Sequence, residues 1–267
     1  MFLQTSLMRL SMIASIIKKG AFNERKHRVS VIMGDNVKII EYVAFGYCTA
    51  LRFLRLSKTF EYIEQYAFAF CRSLEALFFP STVKAINLQA FYKRISLRLL
   101  ILPHDIDLSN VGIMIIYLTS ISRIAETAVV AYATEVSDRL VNEWLIHHMD
   151  QAPFHKLCYD SSMTTKQIND YLIENGNESP LQISPIHGMN PLHMLTMTPH
   201  APADTISALV DSNTVAVFCL DNKEQSPLEY ARDCYVGGLV GMIVGLCNQR
   251  NSSILVESKR NIESTSK

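Results

Sequence analysis

Apolar residues recur along the first hundred positions of the chain at a spacing of 23 residues. The dipeptide Ala-Phe begins at positions 21, 44, 67 and 90, and isoleucine occupies positions 17, 40, 63 and 86. Four further apolar columns keep this spacing, at positions 37, 60 and 83; 51, 74 and 97; 54, 77 and 100; and 56, 79 and 102. So many columns in one register indicate an internal repeat.

Within each unit the late columns follow the pattern L-x-x-L-x-L, which alternates apolar and variable positions. This alternation predicts a short strand with one buried face, and the Ala-Phe segment predicts a helical turn. One strand and one turn cannot bury their own apolar face. We therefore expect the units to stack into a solenoid with a shared core.

These residues resemble the BspA-type leucine-rich repeat family, whose units read approximately "IGxxAFxxCxxLxxIxIPxxV". The stretch "IEQYAFAFCRSLEALFFPSTV" (63–83) is close to that pattern, and the resemblance covers residues 14–105. The first unit lacks the Cys and the following Leu, and the fourth has Arg94 in the Cys column. The outer units are therefore expected to act as caps or to be loosely ordered.

A second pattern follows in residues 150–250, where Pro153, Pro191 and Pro227 each open a short helical stretch followed by a second amphipathic run. The segments "PFHKLCY" and "PLHMLTM" resemble ankyrin repeats, in which a T-P-L-H motif opens the first helix. The motif Thr is replaced by Ala152, Asn190 and Ser226, and the spacings of 38 and 36 residues are longer than usual. The combination of both repeat types resembles a group of proteins predicted from diatom genomes.

The predicted fold is an α+β repeat solenoid, in which a short leucine-rich-repeat β-ladder (14–105) precedes an all-α ankyrin-like helical stack (150–250). Residues 106–149 show helical spacing and predict a linker of degenerate repeat and helices, in which Trp144 is buried. The polar tail 251–267 is expected to be disordered.

Hydrophobic residues make up 49% of the chain, and the formal net charge is zero. No global charge favours a nucleic-acid partner. The apolar stretches 111–121 and 236–247 are too short to span a bilayer, and Gly237, Gly241 and Gly245 in the second predict close helix packing. Arg9 interrupts the N-terminal apolar run and basic residues follow it, so export is disfavoured and an intracellular, cytoplasmic location is expected.

Cys48 and Cys71 occupy one column of adjacent units. Their backbones are expected to lie about 4.8 Å apart, the separation of neighbouring strands, which is within reach of a disulfide. A reduced pair is expected unless the protein is exported, and the sequence leaves both states open.

The strongest nucleophile candidate is Cys158, three residues after His155 and on the same side of a predicted helical turn. The alternative is that His155 belongs to the ankyrin-like motif and that Cys158 is a small buried apolar residue. No third group that would orient the histidine is identifiable, and no nucleotide-binding or hydrolase motif is present. We expect no catalytic residues and no cofactor.

Several histidines crowd into one stretch of the chain: His147, His148, His155, His187, His193 and His200. Their spacing fits neither the H-E-x-x-H helix nor a Cys/His finger, so no metal site is predicted. Hydrogen bonds from a motif histidine to a turn backbone would explain His155 and His193.

Between the buried leucines of the predicted strands, alternate residues point to the opposite face. These residues are Phe53, Arg55, Ala76, Phe78, Leu99 and Ile101. An exposed apolar strip of this kind is typical of a partner-binding surface. The alternative is that the linker helices or a second copy of the chain cover it.

Two functions follow from these features, and a third is remote. The first is an intracellular, non-catalytic scaffold for protein–protein interaction, and the second is a secreted or cell-surface BspA-like adhesin. The remote alternative is a hydrolase that depends on Cys158. The sequence does not identify the protein partner, the pathway or the oligomeric state.

Overall fold

The computed structural model describes residues 7–10, 14–87, 89–93, 96–108, 116–131, 133, 135–160, 163–198, 201–234 and 238–250. The chain divides into two compact units, Met1–Gln151 and Ala152–Lys267. Arg94 and the tail 251–267, for which the sequence predicts a cap and disorder, lie outside the described residues.

Short strands dominate the first unit. They are β1 (Leu7–Leu10), β2 (Ile16–Ile17), β3 (Ser30–Met33), β4 (Ile39–Ile40), β5 (Phe53–Arg55), β6 (Tyr62–Ile63), β7 (Ala76–Phe78), β8 (Ala85–Ile86) and β9 (Leu99–Ile101). All the described pairs are parallel, and each residue lies opposite the residue 23 positions later, as Val31 does opposite Leu54. The repeat period predicted from the sequence is therefore the strand register.

The strands form two ladders. One contains the predicted leucine-rich strands, in the sheets β1-β3-β5 and β7-β9, and the other is the four-stranded sheet β2-β4-β6-β8. The pattern of apolar residues predicts a single strand in each unit and gives no sign of the second ladder. The strands of that ladder are two residues long, too short to show an alternating pattern.

The apolar columns face a common interior, which confirms the solenoid. The Ala-Phe column is fully buried at Ala44, Phe45, Ala67, Phe68, Ala90 and Phe91. The other columns are buried at residues 17, 40, 63 and 86; 37, 60 and 83; 51, 74 and 97; 54, 77 and 100; and 56, 79 and 102. Ala21, in the first unit, is exposed, as expected near the end of a stack.

The Ala-Phe segments are tight turns, and the prediction of a helical turn is wrong. Their backbone N–H groups donate to the next unit, as from Phe45 to the Ala67 carbonyl at 2.7 Å and from Phe68 to the Ala90 carbonyl at 3.0 Å. Val43 and Tyr66 adopt left-handed conformations, with φ of 54° and 57°. Such a conformation costs a non-glycine residue about 1–2 kcal/mol, which the inter-unit hydrogen bonds offset.

Two helices follow the strands in the first unit. They are α1 (Ser120–Val130), capped by the Thr119 hydroxyl, and α2 (Asp138–His147), capped by the Ser137 hydroxyl. Helix α2 contacts both α1 and β9. Trp144 is buried as predicted, and its indole stacks on the His148 ring at 4.5 Å.

The second unit is helical. Its α-helices are α3 (Pro153–Tyr159), α4 (Thr165–Asn175), α5 (Pro191–Met197), α6 (Ala203–Ser212), α7 (Pro227–Cys234) and α8 (238–250). The first helices of successive pairs pack together, α3 on α5 and α5 on α7, and α4 packs on α6. Each predicted Pro opens a helix at its first position, where it leaves no hydrogen bond unmade.

Helix α8 approaches α6 closely through glycines, as the sequence predicts for Gly241 and Gly245; Gly237 lies outside the described residues. A Cβ at Gly241 would lie 2.5 Å from the Ala203 carbonyl oxygen, and one at Gly245 would lie 2.7 Å from Val210 Cβ. In the part of the chain that the structure describes, no helix has the length and apolar character needed to cross a membrane.

Candidate interaction surfaces

The strand face consists of Phe53, Arg55, Ala76 and Phe78, the outward-facing residues of β5 and β7. All four are half-buried, and their neighbours in each strand, Leu54 and Leu77, point into the core. Arg55 Nε is shielded from water and has no hydrogen-bond partner among the described residues. The strand face therefore combines aromatic surface with an unsatisfied hydrogen-bond donor.

The predicted strip does not continue to Leu99 and Ile101, which are buried at 0% and 5% exposure. Because α2 packs against β9, this end of the strip is covered from within the first unit. That result corresponds to the alternative in which linker helices cover the strip. A partner-binding role for the four remaining residues stays a prediction.

A second surface, the aromatic edge, runs along the turns through Tyr47, Phe70, Tyr92 and Tyr117. Tyr47 stacks on Phe70 at 4.4 Å, Phe70 meets Tyr92 edge-on at 5.7 Å, and Tyr92 stacks on Tyr117 at 6.4 Å. Tyr47 and Phe70 both have left-handed backbone conformations, with φ of 56° and 60°, and Tyr47 is exposed whereas Phe70 is half-buried. Sequence reasoning missed this edge, although Tyr47 and Phe70 share a column of the 23-residue repeat.

A cavity of about 580 Å³ lies at one end of the aromatic edge. It is lined by Phe70, Arg72, Lys93, Tyr117, Leu118, Thr119, Ser122, Arg123 and Glu126. The Lys93 ammonium lies 5.7 Å from the centre of the Phe70 ring, and Ser122 donates to Glu126 at 2.8 Å. Three cationic side chains around aromatic walls suit an acidic or aromatic group of a partner.

Ion pairs on the first unit follow the repeat. Glu61 accepts from Lys38 at 2.9 Å and from Lys84 at 2.6 Å, which lie 23 residues before and after it. The ammonium of Lys84, and then that of Lys38, lowers the pKa of Glu61, and Glu61 raises the pKa of Lys84. Because both lysine side chains are exposed, each pair contributes little to stability.

Cys158 and His155 do not form a nucleophile pair. The Cys158 thiol is fully buried, and burial raises its pKa, so it remains protonated at neutral pH. The His155 Nε2–H donates to the Met189 carbonyl at 2.8 Å. The buried, protonated thiol lacks the exposed thiolate that a cysteine hydrolase requires.

His193 repeats the arrangement of His155 one helix pair later, with Nε2–H donating to the Gln225 carbonyl at 3.0 Å. Its Nδ1 accepts from the Asn190 backbone, and the Asn190 side chain accepts from the His193 backbone, which together cap α5. The expected hydrogen bonds from motif histidines to backbone are therefore present at both positions.

The remaining described histidines of this stretch of the chain do not come together in one group. His148 and His187 are buried, and burial lowers the pKa of His148 to about 4. His200 lies outside the described residues. His147 is exposed and meets Asp150 and His104, and their potential ligand atoms lie within 4.8 Å of one another. Sequence spacing could not reveal this group, because His104 lies 43 residues before His147.

Cys48 and Cys71 are both reduced thiols. The Cys48 thiol donates to the Phe22 carbonyl at 3.1 Å and the Cys71 thiol to the Phe45 carbonyl at 3.0 Å. Each thiol thus contacts the backbone of the preceding unit. The cysteines of this column therefore connect neighbouring units through hydrogen bonds from their thiols.

Comparison with solved structures returns leucine-rich repeat proteins. A leucine-rich cell surface protein from Faecalibacterium prausnitzii A2-165 is 26% identical over 38% of this chain and 27% of that chain, with a TM-score of 0.37. A protein from Bacteroides capillosus ATCC 29799 is 32% identical over 28% of this chain and 53% of its own, with a TM-score of 0.27. The chain thus spans about half or less of these two proteins.

Comparison with curated proteins gives no match. The family model for the BspA type leucine rich repeat region matches residues 4–130, with 6 copies of the repeat. This range extends beyond the predicted 14–105 at both ends and includes β1 and α1, whereas the ankyrin-like interpretation of residues 150–250 stays a prediction. Residues 4–130, just under half of the chain, are therefore similar to the BspA type leucine rich repeat region.

Proposed function

We propose that the protein is a non-catalytic scaffold that binds another protein through the strand face of its leucine-rich repeats. The observation that carries the proposal is the row of half-buried side chains at Phe53, Arg55, Ala76 and Phe78, held at fixed spacing by the 23-residue register. A partner would cover the two phenyl rings and the accessible part of the Arg55 side chain, whose Nε is already shielded from water. Desolvated aromatic and arginine side chains provide much of the binding energy in known interfaces.

We further propose that the second unit is an ankyrin-like stack. Support comes from the helix pairs opened by Pro153, Pro191 and Pro227 and from the bonds that His155 and His193 make to backbone carbonyls ahead of the next pair. Stacked helix pairs of this kind expose extended faces for partners.

The proposed location is intracellular. Cys48 and Cys71 support it, because both are thiols that donate hydrogen bonds, a state that a reducing compartment maintains. The second candidate, a cell-surface adhesin, is favoured by the BspA type of the repeats. Protease treatment of intact cells that express the full-length protein separates the two, because only a surface protein is digested.

Affinity capture from a native lysate tests the scaffold function. The wild-type chain is compared with Phe78→Glu and with the control Tyr62→Glu, which places the same charge at an exposed aromatic residue of the other ladder. The expected result is a partner retained by wild type and by the control and lost by Phe78→Glu. Equal capture by all three proteins would exclude the strand face as the binding surface.

A further inference from the structure

Three exposed side chains of the first unit meet outside the surfaces considered above. His104 Nε2 lies 3.2 Å from Asp150 Oδ1, and His147 Nδ1 lies 2.9 Å from Asp150 Oδ2. The centres of the two imidazole rings are 5.2 Å apart. The carboxylate therefore stands between two imidazole nitrogens, within hydrogen-bond distance of each.

Regular elements fix the backbone positions of these residues. His104 follows β9 by three residues, His147 is the last residue of α2, and Asp150 lies in the turn after it. The contact between α2 and β9 holds the two chain segments together, and the Asp150 N–H donates to the His147 carbonyl at 2.9 Å. The donor atoms thus converge because of the fold, although they are far apart in sequence.

Two imidazole nitrogens and one carboxylate oxygen are a donor set that Zn²⁺ and neighbouring transition-metal ions prefer, whereas Ca²⁺ and Mg²⁺ prefer oxygen alone. Zn²⁺ bonds of about 2.0–2.1 Å in a tetrahedron place ligand atoms roughly 3.3 Å apart. The observed separations of 3.2 and 2.9 Å are close to that value. Small rotations of three exposed side chains would direct one carboxylate oxygen and both nitrogens at one ion.

We propose that His104, His147 and Asp150 form a three-ligand binding site for a divalent transition-metal ion, with Zn²⁺ as the fitting ion. All three residues are exposed, so the remaining coordination position faces solvent and is open to water or to a side chain of a partner. The ion would link the segment after β9 to the end of α2.

Isothermal titration of the full chain with ZnCl₂ tests the proposal. The variants are His104→Ala and Asp150→Asn, and the matched control is His27→Ala, which removes an exposed histidine of the same unit. Wild type and His27→Ala should bind one Zn²⁺ at this site, and each ligand variant should bind it more than about tenfold more weakly. Equal affinity in all four proteins, or no binding to wild type, would overturn the proposal.

Two further measurements distinguish this site from a change in the fold and from metal binding by cysteine. Far-ultraviolet circular dichroism should be the same for all variants, because the substituted side chains are exposed. Co²⁺ bound in place of Zn²⁺ should show visible bands of nitrogen and oxygen coordination without the strong thiolate band that binding at the exposed Cys247 would give. A thiolate band that persists in His104→Ala with unchanged affinity would assign the ion to cysteine and overturn the proposal.

Discussion

The phenyl ring of Phe45 lies face to face on that of Phe68, with ring centroids 5.1 Å apart and planes inclined by 4°. Phe22 continues this stack on one side at 5.0 Å, and Phe91 continues it on the other at 6.3 Å. The residue that fills the core of one unit is therefore also its contact with the next. Loss of one ring should affect the neighbouring units as well as its own.

The variant Phe68→Ala tests this stack. We expect it to lower the free energy of unfolding by about 3–5 kcal/mol, because it leaves a cavity between two rings. Urea denaturation followed by circular dichroism gives the value. Phe70→Ala is the control, since that ring is half-buried on the aromatic edge, and its cost should be clearly smaller. An equal or larger cost for Phe70→Ala would contradict the assignment of Phe68 to the core.

Ala67→Asp should be severely destabilising, because Ala67 is fully buried and its turn packs against the next unit. A buried, unpaired carboxylate costs on the order of 3–5 kcal/mol. Ala76→Asp makes the same change on the half-buried strand face and should cost much less, and Arg55→Ala should change stability by about 0.5 kcal/mol or less. Thermal unfolding of the three variants measures the order of their stabilities. Similar losses of stability for Ala67→Asp and Ala76→Asp would refute the assignment of Ala67 to the core and of Ala76 to the strand face.

Gly241→Ala should destabilise the second unit, because the new Cβ would meet the Ala203 carbonyl oxygen at 2.5 Å and force α8 away from α6. Gly238→Ala is the matched control in the same helix, where the nearest atom to a Cβ lies at 3.6 Å. The control should be neutral or stabilising by up to about 1 kcal/mol, since alanine favours helix over glycine. Differential scanning calorimetry of both proteins should give shifts of opposite sign or clearly different size.

Cys158 should resist alkylation by iodoacetamide in the folded protein at pH 7.5. Burial encloses the thiol and raises its pKa, so little thiolate is present and reagent cannot reach it. Cys247 is exposed and should react first, which supplies an internal control. Peptide mass spectrometry after timed labelling gives both rates, and fast modification of Cys158 before unfolding would revive the hydrolase hypothesis.

Stability should fall as pH falls below about 6.5, the ordinary pKa of histidine. Burial lowers the pKa of His155 in the folded state, so the unfolded chain binds more protons in this range and acid favours unfolding. His155→Gln keeps an N–H donor for Met189 but does not titrate. Its free energy of unfolding, measured by urea denaturation, should depend less steeply on pH between 7.5 and 5 than that of wild type, by up to about 1.4 kcal/mol per pH unit. Parallel slopes would show that folding does not lower the pKa of His155.

The repeat period, the buried columns and the helical second unit could be predicted because each depends on many side chains with one spacing. Phe45, Phe68 and Phe91 share a column in the sequence and a stack in the structure. The second ladder could not be predicted, because two residues such as Tyr62 and Ile63 do not define a pattern.

The binding surfaces were harder to predict for a different reason. The alternation of apolar positions along the strands correctly predicts that Phe53 and Phe78 point away from the core. It could not show that α2 packs on β9 and that Leu99 is buried. The group of His104, His147 and Asp150 likewise depends on a contact between distant segments. Features that arise from one unit and its copy are visible in the sequence, and features that arise from packing between unlike elements are not.

Tyr62 pairs with Ile39 on one side and with Ala85 on the other, at the same step of 23 residues. Each unit therefore presents one edge to the unit before it and the complementary edge to the unit after it. Removal of one whole period would bring β4 beside β8 with every side chain still on its proper face, and insertion of one would lengthen the molecule without disturbing either terminus. Genetic gain or loss of complete 23-residue units should therefore be well tolerated by this architecture. A deletion of 22 or 24 residues would instead move every later side chain of the repeats out of its column.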